Sequence, residues 1–227
     1  AEWTGLDVVA RLSERMGLPG RLEPYPSLAL GSYEVSLLEL TQGYQVLANR
    51  GRHLPLHAWT KMTVDGQPLQ EEREERQIIS PQTAFLVTSA LQTALDQGTG
   101  RMARQLGFDL PAAGKTGTTS DSWFVGYTPD LLCAVWVGTD HAPNLNLAGA
   151  SAALPVWTRF MREAQELGRL SVAGFQPPKG VLELEIDGKS GLKASSSCQW
   201  TRKEFFLQGT EPRQVCRRHQ FTGNRSA

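Results

Sequence analysis

The stretch Ala112-Ala113-Gly114-Lys115-Thr116-Gly117-Thr118 gathers residue types that can hold an anionic ligand and polarise a carbonyl. Lys115 offers a cation, Thr116 and Thr118 offer hydroxyls, and Gly117 leaves the backbone bare. Two chemistries use such a set. In a phosphate loop, Gly-Lys-Thr closes a longer motif whose leading glycine would fall at position 109, which is Asp109 here. That motif also needs a helix immediately afterwards, whereas Trp123-Phe124-Val125 has strand chemistry. The second chemistry is carboxylate and acyl recognition along a strand edge. A Lys about 4 Å from a carboxylate contributes ~4 kcal/mol at an effective dielectric of about 20. The two hydroxyls can donate to the same carboxylate. A bare Gly117 lets a peptide lie along the strand as an added β-partner, and the Thr118 N–H can meet an oxyanion. A solvated strand end would use the same residues to no chemical purpose.

Other candidates are weaker by spacing. His53 and His57 stand four apart, but Pro55 spoils a helical metal face, and His141 follows Asp140 without a serine that the sequence places beside it. Trp3, Trp59, Trp136, Trp157 and Trp200 read as packing residues. Cys133 sits in an apolar run, and Cys198 and Cys216 lie 18 positions apart in a polar stretch with His219 nearby. That leaves two readings open, unrelated thiols or a Cys198–Cys216 disulfide that would imply an oxidising compartment. No metal site is expected, because the cysteines have no ligand-spaced partner beyond His219.

These residues need elements to position them. A short helix is expected over 5–17 and a turn-rich connector over 18–33. Ser36 and Glu39 form a capping box for a helix that ends near Asn49 and Gly51. A hairpin about Asp65-Gly66 should occupy 54–70, with 71–76 a solvated loop. Ser80-Pro81 opens a helix that turns Phe85, Leu86, Leu91 and Leu95 inward and breaks at Gly98-Thr99-Gly100. Strands at 112–118, 122–128 and 131–138 follow too closely for helical crossovers, so they must form an antiparallel meander. A helix over 155–167, a linker at 174–178 and a strand-and-loop tail complete the chain.

The 227 residues hold 23 Lys+Arg against 23 Asp+Glu, a neutral balance without the basic excess of nucleic-acid binders. No apolar run reaches the roughly 18 residues of a membrane span, and no signal-like segment stands at Ala1.

Several segments in succession resemble one family, the class A penicillin-binding proteins, which are bifunctional peptidoglycan glycosyltransferase/transpeptidases. They are Pro26–Gly31 with Glu34-Val35-Ser36, Ser80-Pro81 with its helix into Gly98-Thr99-Gly100, Gly114–Thr119, Trp123–Pro129, Val135–Gly138, and Gly209-Thr210-Glu211-Pro212 before Cys216. The resemblance implies an α/β, β-lactamase/transpeptidase-like fold, an antiparallel sheet flanked by helices. Residues 1–170 would be the C-terminal part of the transpeptidase domain, truncated on its N-terminal side. Residues 171–227 would be a small strand-rich extension with a Cys198–Cys216 disulfide.

It further implies D,D-transpeptidation through a serine acyl-enzyme. The partners would be peptidoglycan stem peptides and lipid-linked precursors, with β-lactams as inhibitors and no cofactor. Lys115, Thr116, Gly117 and Thr118 would bind substrate, with Trp123 on the neighbouring strand near the cleft. Such catalysis needs a Ser-x-x-Lys nucleophile motif and a Ser-x-Asn proton shuttle. No Ser-x-Asn occurs, and the sole Ser-x-x-Lys, Ser190 to Lys193, follows the Lys-Thr-Gly strand and has hairpin-turn composition. No catalytic residue is therefore expected in this chain. The nucleophile would lie upstream of Ala1, as would a segment anchoring the protein at the periplasmic face of the inner membrane. A non-catalytic cell-wall binding module of the same fold is the alternative.

Overall fold

The computed structural model describes residues 3–18, 20, 22–59, 61–69, 74–118, 121–139 and 150–217. The chain divides into two compact units, 1–175 and 176–227, with the division inside the 174–178 stretch.

The first unit opens with α1 (Leu6–Arg15), an amphipathic helix that buries Ala10. A 3-10 turn at Pro26–Leu30 ends on Gly31 in the left-handed region. α2 (Leu37–Ala48) starts on the expected capping box. The Glu39 N–H donates to Ser36 Oγ at 3.2 Å, and the Ser36 N–H donates to the Glu39 carboxylate at 2.8 Å. β1 (Arg52–His53) follows, then β2 (Thr63–Val64) and β3 (Gln67–Pro68), which pair about the Asp65-Gly66 turn. Both turn residues have positive φ, 50° and 77°, as a two-residue hairpin loop requires. β4 (Arg76–Gln77) pairs antiparallel with β1, so the charged run expected as loop ends in a strand. Its ladder is backbone-made and its side chains are exposed, so no apolar pattern announces it. Residues 71–73 lie outside the described residues.

α3 (Pro81–Asp96) is capped by Ser80, whose Oγ accepts the Thr83 N–H at 3.1 Å. It buries Phe85 and Leu95, while Leu86 and Leu91 are half-buried. A short α4 (Met102–Gln105) follows the glycine break. Next come β5 (Ala113–Thr118), β6 (Ser122–Tyr127) and β7 (Leu132–Val137), in the order β5-β6-β7 and antiparallel throughout. α5 (Ala153–Glu166) begins two residues earlier than Pro155 suggests. A proline within the first turn costs no intrahelical bond, because those N–H groups have no helical acceptor. The Ala153 N–H instead donates to Ser122 Oγ at 3.0 Å, which ties the helix start to β6.

The cluster centred on Trp157 lies on one face of this sheet, and Val125 and Tyr127 are buried on the other. Phe124 of β6 packs edge-on against Trp157 of α5, ring centres 4.9 Å apart, and Phe108 meets the same indole at 5.3 Å. Leu95, Leu110, Leu154 and Met161 close around them. The Trp157 indole N–H donates to the Gly126 carbonyl at 3.2 Å. A Cβ on Gly126 would stand 2.8 Å from both Phe124 and Trp157, and one on its cross-strand partner Gly114 would stand 2.7 Å from Phe124. These two glycines let the rings settle onto the sheet.

The second unit holds β8 (Val181–Asp187) and β9 (Thr201–Leu207), paired antiparallel over seven residues each. Lys193 bridges Ile186 on one side and Val215 on the other.

Candidate active-site strand

Among the described residues β5 is an edge strand, with β6 its only ladder partner. Residues directly opposite in an antiparallel pair share a face, so the register sorts the motif. Gly117, Trp123 and Trp136 lie side by side across the three strands, as do Lys115, Val125 and Ala134. Thr116, Phe124 and Val135 form the alternate row, on the face toward Trp157.

Lys115 is exposed, and its ammonium donates to the Thr116 carbonyl at 2.8 Å. The cation is thus held against its own strand and can reach a ligand that runs alongside. Gly117 faces Trp123, and a Cβ there would come within 3.1 Å of the Trp123 Cβ. Trp123 is half-buried and tilts at 50° against Trp136, ring centres 6.1 Å apart. It therefore packs on a neighbouring strand and also borders the bare backbone of Gly117. The Thr118 backbone pairs with Ser122 at the strand end; its side chain, and Thr119, lie outside the described residues.

Thr116 behaves differently from the sequence expectation of a hydroxyl beside Lys115. It is buried, and its hydroxyl shares a 2.6 Å hydrogen bond with that of Thr99. Strand alternation is the physical reason, since neighbours along a strand point to opposite faces. Thr99 itself stands in the break between α3 and α4. There a Cβ on Gly98 would lie 2.7 Å from the Ala94 carbonyl, so the chain turns tightly off the helix. By sequence Gly98-Thr99-Gly100 reads only as a helix stop; a hydroxyl lodged between two glycines is the available signal. Arg104 braces the approach to β5, donating to the Phe108 and Leu110 carbonyls at 2.8 Å each and pairing with Asp96 at 2.7 Å. Behind β6, the Tyr127 and Thr88 hydroxyls meet at 2.8 Å, and burial pushes the Tyr127 phenol up to about 12.

The remaining candidates gather elsewhere. Burial also pushes the Cys133 thiol up to about 11, which disfavours the thiolate. His53 sits with its Nδ1 buried among the described residues, and burial and nearby Arg76 push its pKa down. His57 is stacked edge-on to Trp59. His141 and His219 lie outside the described residues. Ser190 occupies a turn of the second unit, its N–H and hydroxyl both 2.7 Å from Asp187 Oδ1. Those bonds hold the Asp187 carboxyl down to about 2. Asp187, Cys198 and Cys216 place a carboxylate oxygen and two sulfurs within 4.8 Å of one another, the one such group of three among the described residues.

Residues 15–162 match the penicillin binding protein transpeptidase domain, and residues 177–221 match the penicillin-binding protein 1A C-terminal domain. The chain belongs to the penicillin-binding protein transpeptidase family. It is 34% identical over 219 residues to penicillin-binding protein 1A of Aquifex aeolicus, covering 93% of this chain and 29% of that protein. It is 32% identical over 224 residues to penicillin-binding protein 2D of Bacillus subtilis, covering 93% and 32% respectively. A crystal structure of penicillin-binding protein 1A from Haemophilus influenzae superposes with a TM-score of 0.80 at 26% identity, over 93% of this chain and 38% of that one. The fold is thus the α/β penicillin-binding transpeptidase fold, and this chain spans about a third of the length of these relatives. No helix among the described residues is long and apolar enough to cross a membrane.

Proposed function

We propose that the protein cross-links peptidoglycan as a D,D-transpeptidase and that these residues carry its substrate-binding strand. The observation that carries the reading is the edge strand β5 with its two faces divided. Lys115 and Gly117 are presented on one face, and Thr116 is tied into the fold on the other. A stem peptide would lie along β5 as an added strand, its terminal carboxylate near Lys115 and its scissile carbonyl toward the Thr118 N–H. Thr118 and Trp123 complete the substrate side, and Thr116 contributes its carbonyl and its anchoring. β-Lactams would bind as carboxylate-bearing mimics of the same peptide. The acylated serine, its lysine and the proton shuttle belong to parts of the protein outside these residues. In support, no Ser-x-Asn occurs, and Ser190 is spent on the Asp187 turn. The protein would act outside the cytoplasm, on stem peptides borne by lipid-linked precursors and nascent wall. No cofactor enters the scheme.

Fluorescent penicillin tests it. The full-length protein should be labelled at a serine outside this segment, and the 227-residue chain alone should take no covalent label. Lys115→Ala should slow labelling of the full-length protein about 10- to 100-fold, the range of one charge-assisted contact. A full-length protein that binds cell wall without being labelled would instead point to the non-catalytic module.

A further inference from the structure

Among the described residues of the 176–227 unit, few side chains are fully withdrawn from water. Among its described side chains only Ile186, Asp187 and Cys216 are fully buried. One of these is a carboxylate and one a cysteine, so a single aliphatic chain stands for the core. Units of this size usually need a covalent or metal staple.

The backbone brings the candidate parts together. The Asp187 N–H donates to the Leu192 carbonyl at 2.8 Å, and the Ala194 N–H donates to Glu185 at 3.0 Å. On the other side the Lys193 N–H donates to Gln214 at 3.0 Å and the Cys216 N–H donates to Lys193 at 2.9 Å. Segment 192–194 is thereby stitched between β8 and the run leading to Cys216. The turn 195–198, closed by the Cys198 N–H donating to Ser195 at 3.0 Å, swings the second sulfur over the same place. The Ser195 N–H points at it from 3.4 Å. Three chain segments thus converge on two sulfurs within 4.8 Å of each other.

We propose that Cys198 and Cys216 close a disulfide that staples this unit. A tetrahedral metal centre fits less well. A closed structural site takes four ligands, and among the described residues this group supplies three, with Asp187 Oδ1 already accepting both Ser190 donors. The staple links residues 18 positions apart, tying the turn at 195–198, just before β9, to the buried Cys216 beyond it. It holds the hairpin shut where apolar burial does not, and it leaves Cys133 as a thiol. In the closing step both thiols lose their protons and one S–S bond forms. A small-molecule or protein disulfide takes up the two electrons and is cleaved to two thiols.

The inference is independent of the transpeptidase reading and its test does not use activity. The intact protein is equilibrated with oxidised and reduced glutathione, quenched in acid, and alkylated in denaturant before peptide mapping. The expected result is a Cys198–Cys216 cross-linked peptide pair with Cys133 alkylated. Opening the staple, by reductant or by the Cys198→Ser/Cys216→Ser variant, should raise the rate of proteolysis within 176–227 on the order of a hundredfold. Alkylation of both residues after oxidation would overturn the proposal. So would one zinc per chain that shields both thiols until a chelator removes it.

Discussion

At the residue scale the motif Lys-Thr-Gly turns out to contain two kinds of work. Lys115, exposed, and Gly117, half-buried, stand on the face away from Trp157, while Thr116 is committed to Thr99 through a 2.6 Å bond at a largely buried position. A buried hydroxyl that loses its partner costs about 1–3 kcal/mol, and here the cost falls on the strand that presents Lys115. Thr99→Val should therefore slow acylation of the full-length protein by β-lactam about tenfold, with Thr99→Ser restoring most of the rate. A valine variant that acylates at the wild-type rate would mean that Thr116 needs no anchor. The identity of the motif was legible in the sequence because cation, hydroxyl and bare backbone occur together. The division of labour was not, since it depends on which face of β5 meets the α3–α4 break.

At the element scale, helix starts were the most readable features. Ser36/Glu39 and Ser80-Pro81 satisfy orphan N–H groups by local chemistry alone, and both caps form as expected. The short elements escaped, α4 and the Pro26–Leu30 turn among them, because four or five residues hold too little periodicity to register. What fastens one element to another was equally hidden. The Tyr127–Thr88 bond joins β6 to α3 inside the fold, and burial holds the phenol proton up to about 12 against 10.0 for a free tyrosine. Between those two values an unfolded chain releases this proton and the folded chain keeps it. Stability must then fall as pH rises through 10 to 12, by about 1.4 kcal/mol per pH unit from this group. Tyr127→Phe should be less stable than wild type by ~1 kcal/mol at pH 8, since the Thr88 hydroxyl keeps its bond to the Ala84 carbonyl. That deficit should shrink above pH 10, which urea unfolding at pH 8, 10 and 11 would reveal. A deficit constant across those values would place the ionised phenol in a solvated setting.

At the scale of the whole chain, balanced charge leaves recognition to placed groups rather than to a charged surface, and two units divide the stabilising interactions unequally. Residues 1–175 have a sheet-and-helix core centred on Phe124 and Trp157, whereas the 176–227 unit rests on its hairpin and its convergent segments. The sequence hinted at a change of character near 174–178 through Pro and Gly, but the poverty of the second core became visible only once burial was known. Gly126 tests how tightly the first core is filled. Its added Cβ would stand 2.8 Å from ring atoms of Phe124 and Trp157, both in the interior, where overpacking costs about 1–3 kcal/mol. Gly126→Ala should lower the melting temperature of the 1–175 unit by several degrees, followed by the loss of near-ultraviolet signal from the clustered rings. Trp200 is the only tryptophan of the 176–227 unit, so its contribution, isolated by subtracting a Trp200→Phe variant, reports that unit alone. Its melting is expected to stay in place in Gly126→Ala. A parallel fall of both transitions would show that the two units unfold as one cooperative body.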